Sequence, residues 1–245
     1  MRCLLATVGL LILLTAFLST FIQRVTGFGF GIVFMSVVPF LMPSYGEAVT
    51  LSGVLALVCN AGAGIPVTKY LKWKKMAIIL AVFLVVSYFS VRIVTVVDND
   101  LMKRILGVFL IAVAIYFYCL NGKVKMKPAV PVQVGMGTVS GLMGGLFGMQ
   151  GPPAVLYFIS CTDDKNEYMA LTQWYFLIGN VWMTISRAHN GLLTPAVERA
   201  CLPGAAAVIL GLLLGRVVYS RMNIGTIRKG VYIFIAVAGI VALLA

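Results

Sequence analysis

The sequence predicts an all-α polytopic membrane protein made of two inverted-topology repeats, with about 8–10 membrane helices and glycine-broken or re-entrant segments. Three observations carry this. Of 245 residues, 61% are hydrophobic and only 11% charged, with a mean hydropathy of +1.04. A soluble domain is about half apolar and about a quarter charged, so this much apolar surface cannot be hidden in one globule, nor solvated by so few charges. Long apolar runs follow one another with short polar connections, and a shift of about 120 residues brings rare polar residues into coincidence. A soluble enzyme, a disordered chain and a secreted disulfide scaffold are excluded.

In chain order the apolar runs are 3–22, 26–42, 47–67, 75–97, 103–120, 130–147, 150–161, 168–188, 200–219 and 226–245. A span needs about 20 residues, which eight of these approach or exceed. The runs 26–42 and 150–161 are short and follow glycine-rich breaks, so each is either a crossing or a half-helix. Half-helices must face protein or water, because backbone groups cannot go unpaired in lipid. Residues 1–20 have the look of a signal peptide. The same kind of segment recurs in mid-chain, which argues that it is retained. Residues 1–120 form the first repeat, 121–128 a basic cytoplasmic linker and 129–245 the second.

The net charge is +12. The basic residues cluster in short loops, which marks cytoplasmic loops rather than a nucleic-acid surface. Lys69, Lys72, Lys74 and Lys75, then Lys123, Lys125 and Lys127, then Arg221, Arg228 and Lys229 place three loops inside. Asp98–Asp100 and 189–198 fall outside, as do both termini. Cys3, Cys59, Cys119, Cys161 and Cys201 form no CxxC pair and read as buried free thiols.

Under the shift, Gly31 meets Gly151, Glu47 meets Glu167, Asn60 meets Asn180 and, after a small gap, Arg92 meets Arg216. The lysine-rich 68–75 loop matches the outer 189–198 loop, so the two halves run in opposite directions. Inverted repeats of this kind place a substrate near the midplane between the halves.

The breaks read Thr26-Gly27-Phe28-Gly29-Phe30-Gly31 and Gly148-Met149-Gln150-Gly151-Pro152-Pro153. Glycine permits sharp turns and close ligand approach, and proline suits the first turn of a helix. Each break therefore starts a helix whose free N–H groups and positive dipole end can hold an anion without a fixed charge. Gly137, Gly141 and Gly145 form a stripe read as helix packing. Asn60 and Asn180 sit mid-segment, either contacting substrate or locking the bundle. Arg24 lies beside the first break, where it pairs with a substrate anion or snorkels. Arg92, Arg187 and Arg216 lie near segment ends, where snorkelling is the better reading. Gln23, Thr26, Gln150, Gln173 and Trp174 are candidate cavity residues. All seven acids lie at or near segment ends. A midplane carboxylate of the kind cation-driven carriers use is therefore missing, which favours an anionic or neutral substrate. With His189 as the one histidine, no metal site assembles. Nothing calls for a cofactor, and no nucleophile, Walker or dinucleotide motif suggests an enzyme.

The chain resembles the TauE/SafE family of sulfite and organosulfonate exporters. Gly144-Gly145-Leu146-Phe147-Gly148-Met149-Gln150-Gly151-Pro152-Pro153 looks like that family's second glycine motif, and Gly27-Phe28-Gly29-Phe30-Gly31 is similar to the first. The family more often shows three consecutive glycines, which Phe30 and Gln150 interrupt here. The resemblance implies export of a small anion, such as sulfite or a sulfonate, across a bacterial cytoplasmic membrane. The expected function is a secondary transporter working by alternating access. An anion channel and a non-transporting scaffold or assembly factor are the alternatives. The expected partners are a small anionic substrate and the bilayer, with no nucleic acid; a homodimer is one assembly left open.

Overall fold

The structure, a computed structural model, describes residues 2–120, 129–227 and 229. Lipid offers no water to bond a backbone, so its apolar runs close their hydrogen bonds internally as helices. Nine α-helices are found among the described residues: α1 Arg2–Thr26, α2 Phe30–Val37, α3 Tyr45–Gly64, α4 Trp73–Val96, α5 Asn99–Leu120, α6 Val130–Phe147, α7 Gly151–Ser160, α8 Lys165–His189 and α9 Pro195–Ser220. Short 3-10 turns extend α2 over Val38–Phe40 and α3 over Ile65–Tyr70. The expected basic linker 121–128 lies outside the described residues, as does nearly all of the expected span 226–245.

Five described segments are long and apolar enough to cross a membrane: Thr7–Thr26, Tyr45–Tyr70, Trp73–Val96, Val130–Phe147 and Pro195–Ser220. The chain is thus an all-α, multi-pass membrane protein. Helices α2 and α7 have 8 and 10 residues. At 1.5 Å per residue they rise about 12 and 15 Å, at most about half of a 30 Å hydrocarbon core. Of the two readings of the short runs, the half-helix holds.

The ends of these elements follow from local chemistry. Helix α1 stops at Gly27 (φ 90°), and α6 stops at Gly148 (φ 67°). There the N–H of Gly148 bonds Gly144 O and that of Met149 bonds Met143 O, a glycine-terminated helix end. Helices α3 and α8 begin alike: the side chains of Ser44 and Asp164 accept from the backbone N–H of Glu47 and Glu167, at 3.1 and 2.7 Å.

Packing interleaves the two parts of the chain. Helix α1 packs most extensively on α9, α4 on α6, and α3 faces α8 at the centre; α9 also lies on α3, and α4 on α8. Two bundles result, α1–α3 with α9 and α6–α8 with α4, each borrowing its fourth element from the other half. The Gly137, Gly141 and Gly145 stripe is what brings α6 onto α4. A Cβ at these positions would meet Ile79 O at 2.8 Å, Val86 Cβ at 2.8 Å and Ser87 O at 3.1 Å. The mirror contact uses Gly211 and Gly215, where a Cβ would meet Phe17 O and Arg24 Cβ, each at 2.7 Å. Small residues let backbones approach where dispersion must hold helices together.

Candidate functional site

The two breaks meet. Gly31, in the first turn of α2, lies so close to the Gly148 carbonyl that no side chain fits between them. A small hollow of about 330 Å³, open mouth included, is lined from both sides of this junction. Phe28, Gly29 and Gly31 line it from the first break, Gly148, Gln150 and Gly151 from the second, and Asn60 and Asn180 from α3 and α8. Gln23, Phe30, Ile32, Ala56, Met149, Pro152 and Phe176 complete the wall. None of these side chains is ionisable.

The walls differ in what they offer. In α2 the first three N–H groups have no intrahelical acceptor. That of Phe30 is taken by Gln23 Oε1 at 3.1 Å, leaving Gly31 and Ile32. In α7 the prolines at 152 and 153 have no N–H, so its first turn presents Gly151 alone. The second break is therefore poorer in backbone donors than the first. Its polar contribution is the amide of Gln150, whose Nε2 donates to Phe176 O at 3.2 Å while its backbone carbonyl accepts from Ser140 at 2.5 Å.

Several backbone acceptors at the ends of α1 and α6 are occupied by side chains. Tyr168 OH donates to Thr26 O and Tyr45 OH to Leu146 O, each at 2.9 Å, so a tyrosine of each bundle closes the helix end of the other. Positions 26 and 146 differ by the repeat shift of 120. Gln173 Nε2 donates to Gly27 O at 2.7 Å, and Arg187 donates to Gly144 O at 3.0 Å and Gly145 O at 3.3 Å. Thr26 Oγ1 reaches Phe28 O at 2.7 Å. A chain of amides supports this seal: Gln23 Nε2 donates to Asn60 Oδ1 and, at 3.3 Å, to Gln173 Oε1. Asn60 Nδ2 is buried without a protein partner.

Nine of the fourteen residues singled out in the sequence for the site, Gln23 among them, are thus brought together around the hollow. Gly27, Thr26 and Gln173 stand behind its wall rather than in it. Arg24 is 5% exposed and stacks 4.4 Å from the centroid of the Tyr219 ring, toward α9 and away from the hollow. Trp174 is half-buried at the bundle edge, donating to Thr68 Oγ1 at 3.0 Å beside Trp73. Gln23, a cavity candidate in the sequence, belongs to the wall, and so do Phe30 and Met149, which lie within the two glycine motifs but were not singled out. Arg187 corrects an expectation. Its place near a segment end suggested snorkelling, yet it is wholly buried, because Gly53 leaves room for a guanidinium that the carbonyls of Val49, Gly144 and Gly145 accept from. Arg92 and Arg216 are exposed as expected.

A clasp at each of two helix starts ties the element taken from the other part of the chain into its bundle, outside the hollow. Glu47 of α3 accepts from the hydroxyl of Thr194, the residue that caps α9, at 2.6 Å. Glu167 of α8 pairs with Lys72, the residue that caps α4, at 2.6 Å and with Lys75 at 2.5 Å. Burial alone would raise the Glu167 carboxyl, but hydrogen bonds from Lys72 and Lys75 outweigh it and hold the group below the usual carboxylate range.

The chain is similar to a protein of Cupriavidus necator named probable sulfite/organosulfonate exporter TauE, with 31% identity over 235 residues, 87% of this chain and 84% of that one. No solved structure matches it. The family model described as sulfite exporter TauE/SafE matches residues 12–242. That match takes in both glycine breaks and every residue of the hollow. A polytopic membrane protein built around two broken helices, this chain belongs to the TauE/SafE family, a family of transporters rather than enzymes.

Proposed function

We propose that the protein exports a small sulfur-containing anion, sulfite or an organosulfonate, across the bacterial inner membrane, and that the hollow between the breaks is its binding site. The name of the Cupriavidus relative supports the substrate class. One feature of the hollow carries the reading: at the broken helix ends the carbonyl oxygens of Thr26, Gly27, Gly144, Gly145 and Leu146 are bonded by Tyr168, Gln173, Arg187 and Tyr45, while N–H groups of the α2 start and Asn60 Nδ2 are left over beside one side-chain acceptor, Gln150 Oε1. Free carbonyls at broken helices suit cations and free N–H groups suit anions. A wall with no ionisable side chain binds an anion by dipoles and releases it without breaking an ion pair.

The two parts of the chain run through the membrane in opposite senses in this reading, which the loop charges and the recurrence of long, short, long, long helices support. The bodies that move in alternating access are then the interleaved bundles, α1–α3 with α9 against α6–α8 with α4, turning about the α3–α8 contact, rather than the halves of the sequence.

The test is sulfite and sulfoacetate flux in proteoliposomes for wild type, Gln150→Ala and Gly151→Leu. Both variants are expected to insert as monodisperse protein and to lose transport. Wild-type flux in both overturns the assignment of the site. Single-channel conductance in a planar bilayer replaces the carrier with a channel.

A further inference from the structure

Arg187 is wholly buried, and its recorded polar partners are main-chain carbonyls and a thioether: Nη1 donates to Val49 O at 3.2 Å and Nη2 to Gly144 O and Gly145 O, with Met183 Sδ at 4.0 Å. The ion pairs of the described residues all use lysine, so none neutralises it. Its Nε is buried and unpartnered. A guanidinium keeps its charge in proteins, and an unpaired buried charge is costly. Helix carbonyls at the end of α6 offset part of that cost. Capping alone does not need a cation: at the end of α1, a tyrosine hydroxyl and a glutamine amide close the carbonyls of Thr26 and Gly27.

The charge lies one layer behind the hollow. Val49, whose carbonyl it bonds, packs its side chain on Gly148, with Cγ2 3.1 Å from where a Cβ of Gly148 would be. Gly144, whose carbonyl it also bonds, backs onto Gln150, with Gln150 Cβ 3.0 Å from where its own Cβ would be. Gly148 and Gln150 both line the hollow.

We infer that Arg187 determines the charge selectivity of the site: it touches no substrate, and it strengthens binding with each negative charge the ligand carries. In a low-dielectric interior a fixed charge acts across a layer of side chains with little screening. The inference rests on the hollow being the substrate site.

Three sulfonates of nearly one size separate charge from shape: sulfoacetate (two negative charges), isethionate (one) and taurine (net zero). Their affinities are measured by calorimetry on wild type, Arg187→Lys, Arg187→Gln and Gln150→Ala. Wild type and Arg187→Lys are expected to bind in the order sulfoacetate, isethionate, taurine. In Arg187→Gln the span between sulfoacetate and taurine collapses by tenfold or more, whereas a purely structural role weakens all three alike. An unchanged span in Arg187→Gln overturns the inference. If Arg187→Gln does not fold, a wild-type affinity that is flat across the series overturns it as well, and so does an Arg187→Lys protein that folds and has lost the order. Gln150→Ala is expected to weaken all three. If it leaves every affinity at the wild-type value while Arg187→Gln collapses the span, the hollow is misplaced and the role of Arg187 stands at another site. Absence of binding by wild type overturns both.

Discussion

Gly31 and Gly148 touch backbone to backbone: a Cβ on Gly31 would fall onto the carbonyl oxygen of Gly148. The two broken helices therefore meet without an intervening side chain, because Gly31 has no Cβ to hold them apart and Gly148 takes the left-handed turn that ends α6.

Gly31→Ala is expected to force the breaks apart. The obstructing atom is main chain and cannot swing away, so the cost is on the order of 1–3 kcal/mol. Thermal unfolding in detergent should fall by several degrees and transport should be lost. Gly9→Ala is the control, since nothing lies within 4 Å of a Cβ there. A Gly31→Ala protein that melts and transports like the Gly9→Ala control contradicts the contact.

Gln173→Ala is expected to unseal the first break. It leaves Gly27 O without its donor and Gln23 without one of its acceptors. Unsatisfied buried groups cost about 1–3 kcal/mol each. Anion affinity should drop along with stability, because a bare carbonyl then stands directly behind the wall of the hollow. Sulfite titration monitored by thermal shift checks this; undiminished affinity would remove the seal from the account of selectivity.

The Glu167 clasp gives the protein an acid-sensitive joint. Its folded carboxyl titrates below the usual range because of Lys72 and Lys75. Its contribution to stability is thus complete above the unfolded value of about 4.3 and is lost as pH falls through the depressed folded value. Lys72 is 60% exposed, so screening keeps the effect modest. Melting temperature recorded from pH 7 downward should fall less steeply for Glu167→Gln than for wild type below about pH 4.3. Parallel curves would remove the clasp from the acid response.

The loop charges predict sidedness. Single cysteines at Lys74 and Arg221, in a background freed of native cysteines, should react with an impermeant maleimide only after the membrane is opened. Cysteines at Asp100 and Asn190 should react in intact cells. Reaction of Lys74→Cys and Asn190→Cys from the same side contradicts opposed orientation of the repeats.

Helix positions were legible in the sequence because hydropathy and helix termination are local: the run 130–147 is α6 residue for residue. The breaks were legible because two glycine-rich motifs recur. What the sequence did not disclose was partnership across the chain. Nothing in the 200–219 run says that it packs on the first helix, and nothing near Arg187 says that its room is made by Gly53 on one helix and its acceptors by Gly144 and Gly145 on another. Trp174 carried the opposite ambiguity, since an aromatic beside a polar glutamine suits a cavity wall as well as the bundle edge it occupies.

The exchange of fourth elements bears on biogenesis. Helix α1 is made well before its main neighbour, α9, which leaves the ribosome about 170 residues later. Until then the face of α1 that includes Phe17 and Arg24 has no mate. The first bundle cannot close until α9 is made, so a chain cut between α5 and α6 would leave each fragment waiting for a helix it does not encode.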